Sequence, residues 1–254
     1  MSELTPDESS PAEAAHPPLA VVREEPDWVA VHKPSGLLVH RDEHHPEAPA
    51  ALQVVRDQFG RFVYPFHRLD RATSGILLFA FSSAAAAALQ AAMSAPTAIK
   101  EYIALVRWPG SPNGDGAVLG DAWTCDRPLT DDKGIARAAR TDFEHIETLP
   151  YSALVRCRIH SGRYHQIRRH ANHSGRHVLG DTSHGKGRIN ALFRERFGLQ
   201  RLFLHLYRVR FEMEDCGLVE MVDPLPPDLR EVLARLRAHV PSPGPGAPPA
   251  AESP

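Results

Sequence analysis

The chain has 254 residues, of which 43% are hydrophobic and 24% charged, the composition of a soluble globular protein with a sizeable core. No apolar run approaches the ~20 residues that a membrane helix needs, and the acidic first residues, which lack an apolar core segment, predict no signal peptide. The three cysteines are scattered without CxxC spacing, which argues against a thiolate zinc site and indicates a cytoplasmic protein.

Positive charge is concentrated in one segment of the sequence. The net charge is −2, but residues 151–210 contain twelve Arg and one Lys against two acidic residues. A segment this basic in a neutral protein predicts a surface that binds a polyanion. Arginines scattered over several faces would give the same count, so the sequence alone leaves both arrangements open.

In chain order, strand and helix patterns follow one another between two polar tails. The tails, residues 1–18 and 241–254, are rich in Pro, Ala and Ser and are expected to be disordered, which leaves one domain over residues 19–240. Apolar spacing predicts a strand at 28–33 that resumes at 37–39, a helix at 51–59, a strand at 75–81, a helix at 84–93 capped by Ser82 and Ser83, strands at 100–108 and 153–160, a helix at 164–172, a strand at 202–211 and a helix at 226–240. Together these predict an α+β fold, in which peripheral helices surround a mainly antiparallel mixed sheet.

The nonapeptide HRLDRATSG, residues 67–75, places one carboxylate, Asp70, among His67, Arg68 and Arg71. Neighbouring cations favour the ionised form of a carboxylate, and an ionised carboxylate can act as a nucleophile or a base. A structural ion pair between Asp70 and one of the adjacent arginines is the alternative, and the local sequence favours that alternative.

A second stretch, residues 159–181, is rich in His and Arg and has an acid only at its end. Metal binding by His165, His170 and His173 is one interpretation, but their His-x4-His-x2-His spacing matches no common zinc pattern. A phosphate-contacting surface, with Arg163 and Arg169 as candidate contacts, suits the composition better.

Two further segments contain candidate site residues of lower specificity. Tyr102, in KEYIALV, lies on a strand that alternates and is expected to be buried on one face only. The tyrosine could stack on a base if it faces a cleft, although packing is the commoner fate of a strand tyrosine. Lys33, in HKPSGLLVH, could contact a phosphate or could simply precede an ordinary turn.

The order of these motifs resembles that of the RluA-type family of pseudouridine synthases. The resemblance covers about residues 20–240 and rests on HKPSGLLVH, HRLDRATSG, KEYIALV, SGRYHQIRRH and LFLHLYRVRF, in that order. Within the family, the sequences VHRD at 39–42, GDxxHG at 180–185 and FGLQRLFLH at 197–205 are most similar to the branch that modifies uridine 65 of certain tRNAs. An appended S4-type RNA-binding domain is absent from the sequence, which also suits this branch.

The resemblance implies a role for particular residues. Asp70 corresponds to the catalytic aspartate, Tyr102 to the tyrosine that packs on the target uracil and assists proton transfer, and Arg168 to the residue that forms an ion pair with the aspartate. Arg68 corresponds to the residue that fills the gap left by the flipped base. Supporting positions around the catalytic loop are His67, Thr73 and Gly75, and the candidate RNA contacts are Lys33, Arg163 and Arg169.

The implied protein is a cytoplasmic, monomeric enzyme that acts on tRNA without a metal, a cofactor, a membrane or a protein partner. Three alternatives remain at this level. One is a pseudouridine synthase of the same family that acts on ribosomal RNA, another is a non-catalytic RNA-binding protein, and the most remote is a metal-dependent hydrolase.

Overall fold

The computed structural model describes residues 16–239, apart from 42, 44 and 109–121. The strands of the described chain are β1 (Val21–Glu25), β2 (Trp28–Lys33), β3 (Tyr64–Pro65), β4 (Ser74–Ala80), β5 (Ile99–Arg107), β6 (Ala122–Cys125), β7 (Leu129–Thr130), β8 (Ala136–Arg137), β9 (Thr141–Leu149), β10 (Ser152–Ile159), β11 (Leu204–Met213) and β12 (Gly217–Val222). Its helices are α1 (Ala51–Phe59), α2 (Ser83–Ser94), α3 (Gln166–His173), α4 (Gly187–Phe197) and α5 (Pro227–Arg237).

One large sheet organises the molecule. Its ten strands follow the order β1-β2-β4-β11-β5-β10-β9-β6, with β12 beside β11 and β3 beside β4, while β7 and β8 form a separate hairpin. Among the described strands every pairing is antiparallel except that of β4 with β11, where Ser74 lies opposite His205 and Gly75 opposite Leu206. The predicted α+β fold with a mainly antiparallel mixed sheet is confirmed. Because β11 lies between β4 and β5, it brings the segments that carry Asp70 and Tyr102 into one sheet.

The central strand β5 is buried on both faces, so the prediction of a half-buried strand is wrong. Tyr102 contributes to one apolar cluster together with residues of α1 and α2. Ile103 and Leu105 contribute to a second cluster, which α4 and α5 complete on the other face. A second covered face was not foreseen because α4 was not predicted. That helix carries several arginines, and only Asn190, Phe193 and Phe197 are buried.

The helices that were predicted occur at the expected places. The alanine-rich helix α2 has the high intrinsic propensity of its sequence, and the Ser82 side chain accepts a hydrogen bond from the Ala85 amide at its N-terminus. The strand expected at 37–39 is reduced to an isolated bridge between Leu38 and Ala50. Seven of the described strands were not predicted. Charged residues interrupt the apolar pattern of β1, β9 and β12, while β3, β6, β7 and β8 are only two to four residues long and too short to show a pattern.

The two tails predicted to be disordered lie outside the described residues, except for residues 16–18, which precede β1. In the part of the chain that the structure describes, none of the helices is both long and apolar enough to cross a bilayer.

Candidate active site

Hydrogen bonds hold the loop that carries Asp70 at both of its ends. At its C-terminal end, the Thr73 amide donates to the Asp70 carbonyl at 3.0 Å and closes a turn directly before β4. At its N-terminal end, Nε2 of His67 accepts a hydrogen bond from the Leu78 amide of β4 at 2.8 Å. Burial, followed by the charge of Lys100, lowers the pKa of His67 to about 4, which keeps the ring neutral and able to accept. His67 therefore ties the loop that carries Asp70 to β4.

Gly75 makes the parallel pairing of β4 with β11 possible. Its φ of +124° lies in a region that side chains rarely allow, and a Cβ placed there would lie 2.6 Å from the Leu206 amide nitrogen. The neighbouring Thr73 lines the cleft, and its buried hydroxyl has no hydrogen-bond partner among the described residues. The close approach at Gly75 sets the position of the Asp70 loop relative to the centre of the sheet.

Asp70 meets Arg168 across this cleft. Arg168 donates from Nη1 to Oδ2 of Asp70 at 3.3 Å, and the Asp70 side chain retains 19% of its exposure. The other arm of the guanidinium binds Asp181 in two hydrogen bonds, from Nε at 2.8 Å and from Nη2 at 2.7 Å. Asp181 is thus the main partner of Arg168, and it fixes the cation in the orientation that reaches Asp70.

Asp181 is a residue of the candidate site that sequence reasoning missed. Its carboxylate also accepts the backbone amides of Ser183 and His184 at 2.9 and 3.0 Å. Although burial opposes the effect, the Arg168 hydrogen bonds and these amides lower the pKa of Asp181. The GDxxHG sequence that contains Asp181 was the available signal, but nothing in its spacing related it to Arg168.

Tyr102 lies on β5 and lines the same cleft as Asp70 and Arg168. It is 8% exposed, and in the sheet it lies opposite Cys157 of β10 and Leu206 of β11. Burial, reinforced by the charge of Asp70, raises the pKa of Tyr102 well above its ordinary value. The hydroxyl therefore stays protonated at neutral pH and can act as a hydrogen-bond donor.

The cleft also contains His165, which the sequence had suggested only as a metal ligand. Its Nε2 lies 3.7 Å from Oδ2 of Asp70, and its Nδ1 lies 3.0 Å from Nε2 of His184. The other two histidines of the metal interpretation do not join it. His170 binds the Thr141 hydroxyl and the Arg127 carbonyl, and no group of three or more His, Cys, Asp or Glu in the described chain could hold a metal ion.

Three arginines lie at the outer side of the cleft. Arg68 is exposed, with its guanidinium carbon 6.0 Å from the ring centre of Tyr164, and it has no ion pair or hydrogen bond among the described residues. Arg169 of α3 donates to the Thr130 carbonyl of β7, and Arg163, which precedes α3, donates to the carbonyl of Ala138, which follows β8. Of the three guanidinium groups, that of Arg68 has the fewest polar contacts with the described residues.

Lys33 is not an RNA contact, which corrects the expectation from the sequence. The side chain is fully buried, and its ammonium donates to the carbonyls of Pro34, Leu37 and Arg71 at 2.9, 2.7 and 3.1 Å. All three of its hydrogens are therefore used inside the protein. Lys33 ties the turn after β2 to the loop that carries Asp70.

The positive charge of residues 151–210 is not all presented on one face. Four arginines of this segment form ion pairs with carboxylates, namely Arg156 with Glu144, Arg168 with Asp181, Arg201 with Asp228, and Arg208 with Glu101 and Glu220. The exposed cations of the segment without a carboxylate partner in the described chain are Arg163, Lys186, Arg188, Arg194 and Arg196. The free positive charge is therefore smaller than the sequence count suggested.

Comparison with known proteins identifies the family of the chain. Residues 27–173 match the family model described as RNA pseudouridylate synthase. The chain belongs to that family. It is an RNA pseudouridine synthase, as the order of its motifs had predicted.

Relatives and solved structures agree with this assignment. The chain is 37% identical over 209 residues to "tRNA pseudouridine synthase C" of Vibrio vulnificus, which covers 76% of this chain and 84% of that protein. It is 38% identical over 212 residues to the protein of the same name in Pasteurella multocida, covering 76% and 85% of the two chains. The fold is shared with human RNA pseudouridylate synthase domain containing 4, at a TM-score of 0.69 and 21% identity over 88% of this chain and 95% of that one.

Proposed function

We propose that this synthase converts a uridine of tRNA, at position 65, into pseudouridine, and that Asp70 is its catalytic carboxylate. Support for tRNA as the substrate comes from the relatives at 37–38% identity, which are named tRNA pseudouridine synthase C. Support for Asp70 comes from the geometry, because it is held by Arg168 at 3.3 Å in a cleft that Tyr102 also lines. This arrangement is the observation on which the proposal rests.

The reaction needs only what these residues can supply. The bond between N1 of uracil and C1′ of the ribose breaks, the base turns, and C5 bonds to C1′. C5 loses its hydrogen to solvent and N1 gains one, so the atoms balance without a cofactor. An ionised carboxylate can act on the sugar or the base, and Arg168 orients it without becoming a proton donor itself.

The target uridine must leave the RNA stack before it can reach Asp70. Extrusion of a base costs a few kcal/mol. Stacking on an aromatic ring such as that of Tyr102 stabilises the extruded base by about 1–3 kcal/mol. The unpaired, exposed guanidinium of Arg68 lies at the cleft mouth, where it can occupy the gap left in the RNA and offset more of the cost.

Replacement of the carboxylate tests the catalytic assignment. For Asp70→Asn we expect the release of tritium from C5-labelled tRNA uridines to fall by at least about 100-fold, while RNA affinity stays within about twofold of wild type. Asp57→Asn is the matched control, because that aspartate is exposed on α1 and should leave the rate unchanged. An Asp70→Asn enzyme that releases tritium at the wild-type rate would refute the assignment.

Mapping of modified uridines tests the substrate. In RNA from cells with and without the gene, we expect pseudouridine to disappear from position 65 of tRNA. Loss confined to ribosomal RNA would overturn the tRNA assignment and leave the role of Asp70 intact.

A further inference from the structure

His165, the residue just before α3, has a backbone conformation that is unusual for a residue other than glycine. Its φ of 52° and ψ of 31° are left-handed, and among the described non-glycine residues only Tyr151 shares a positive φ. Such a conformation costs of order 1 kcal/mol or more and persists where surrounding contacts impose it. The conformation brings the imidazole into the cleft beside Asp70.

Two rings hold the His165 imidazole in place. The Tyr164 ring stacks on it with centroids 3.8 Å apart and an angle of 19°. His184 meets it edge-on, with 3.0 Å between His165 Nδ1 and His184 Nε2. His184 is itself positioned by Asp181, which accepts its backbone amide at 3.0 Å. Asp181 therefore supports both groups that face Asp70, Arg168 directly and His165 through His184.

The charge of Asp70 selects the tautomer of this pair. If His165 carried its proton on Nδ1, the lone pair of Nε2 would face the Asp70 carboxylate at 3.7 Å, which is repulsive. If His184 donates from Nε2 to Nδ1 of His165 instead, the Nε2–H of His165 points toward that carboxylate. The second arrangement places a donor opposite a negative charge and satisfies both contacts.

We propose that His165, protonated on Nε2 and held by His184, is a positioning residue for Asp70. It donates to the Asp70 carboxylate and shares with Arg168 the task of orienting that carboxylate against the uridine. The 3.7 Å separation shortens to a hydrogen bond when RNA fills the cleft, because such contacts tighten in the substrate complex. The proposal rests on the catalytic role of Asp70 given above.

The ring is suited to this task because it is neutral. Burial, against the opposing charge of Asp70 and with the help of Arg168, lowers the pKa of His165 to about 4. The charged and titratable groups around it are Asp70, Arg168, His184 and Asp181, together with Tyr164, whose ring stacks on it. A neutral imidazole with one N–H can accept from His184 and donate to Asp70 at the same time, whereas the imidazolium could not accept.

Kinetics of two amide variants test the donor. Gln places its amide nitrogen near the position of His Nε2, whereas Asn tolerates the left-handed backbone but cannot reach Asp70. We expect His165→Asn to lower kcat about 10-fold to 100-fold, as for the loss of a hydrogen bond to a charged group, with KM for tRNA within about twofold. His165→Gln should recover most of that loss. Equal losses in both variants, or an unchanged kcat in His165→Asn, would overturn the proposal.

The tautomer can be measured without RNA or turnover. In the full-length protein labelled with ¹⁵N-histidine, we expect the His165 signals, assigned by their absence in His165→Asn, to show a protonated Nε2 and an unprotonated Nδ1. The opposite pattern would refute the proposed donor even if the enzyme is active. If the expected tautomer is found and no tRNA uridine is isomerised, the proposed function fails while the assignment of the donor stands.

Discussion

At the scale of single residues, the buried Lys33 holds the loop that carries Asp70. Its ammonium donates to three carbonyls, one of which belongs to Arg71, the residue after Asp70. Burial is the main reason that the pKa of Lys33 falls from 10.5 to about 7, and the nearby Arg201 and Arg71 add to the effect. Its cationic form is therefore disfavoured in the folded state even though all three hydrogens are bound.

This lowered pKa predicts a pH dependence of stability. Between pH 7 and 10.5 the unfolded chain holds the Lys33 proton more tightly than the folded chain, so the free energy of unfolding should rise with pH. The slope that this group adds approaches about 1.4 kcal/mol per pH unit. Well below pH 7 the lysine is protonated in both states, so the group adds no slope there. Urea unfolding across pH 7.5–9.5 (about the middle of the window) should give a smaller slope for Lys33→Met than for wild type. Identical slopes would show that Lys33 is not perturbed in this way.

At the scale of elements, the parallel contact between β4 and β11 joins the loop that carries Asp70 to the rest of the sheet. Besides the pairing at Gly75, the Ser74 hydroxyl contacts Nδ1 of His205 at 3.0 Å, and Nε2 of His205 contacts the Asp223 carbonyl at 2.8 Å. Arg201 donates to the same Ser74 hydroxyl at 3.1 Å. Ser74 is fully buried, so this chain of polar contacts holds strands together and offers no nucleophile.

The tight approach at Gly75 predicts a large effect of adding one methyl group. Gly75→Ala should destabilise the protein by about 3 kcal/mol or more, because the new Cβ meets the backbone of Leu206 and the positive φ is strained. Gly187→Ala, at the start of α4 with open space around it, should change the free energy of unfolding by less than about 1 kcal/mol. Chemical denaturation of both variants measures the difference. A stable Gly75→Ala protein would mean that β11 can move away from β4 at little cost.

The sequence predicted the helices and strands whose apolar pattern is local. It did not predict those elements and residue pairs that depend on contacts between distant parts of the chain. Helix α1 occurs with the predicted bounds because its apolar residues recur at helical spacing. Helix α4 was missed because its buried residues, Phe193 and Phe197, are separated by exposed arginines. The pair of Asp70 and Arg168 came from the resemblance alone, since residues 98 positions apart share no local pattern. The same limit explains why Lys33 was taken for a surface cation and why Asp181 was not found.

At the scale of the whole molecule, the unpaired cations near the cleft and in residues 186–196 are the expected contacts for RNA phosphates. Arg68 at the cleft mouth and the exposed cations of residues 186–196 carry no partner in the described chain. Contacts between such cations and phosphates release counterions from RNA, so affinity depends on salt. The paired arginines of β10 and β11 contribute less, because they already neutralise carboxylates of the protein.

This distribution predicts the salt dependence of RNA binding. The affinity for tRNA should fall steeply between about 50 and 200 mM salt, and Arg68→Ala should reduce the slope of log affinity against log salt by about 1. Arg56→Ala is the control, because Arg56 lies on α1 beside Asp57 and should leave the slope unchanged. Filter binding over a salt series measures all three proteins. A flat response in wild type would exclude these cations as the contact surface.

The position of β11 has a consequence for the order in which the protein becomes active during its synthesis. The ribosome makes Asp70 and Tyr102 before β11, but β4 and β5 are neighbours only through β11, which begins at Leu204, long after β5 ends at Arg107. A nascent chain that stops before Leu204 also lacks that residue, which lines the cleft. Asp70 and Tyr102 therefore come to share one sheet only after β11 has been made, so the cleft should assemble well after the synthesis of these two residues.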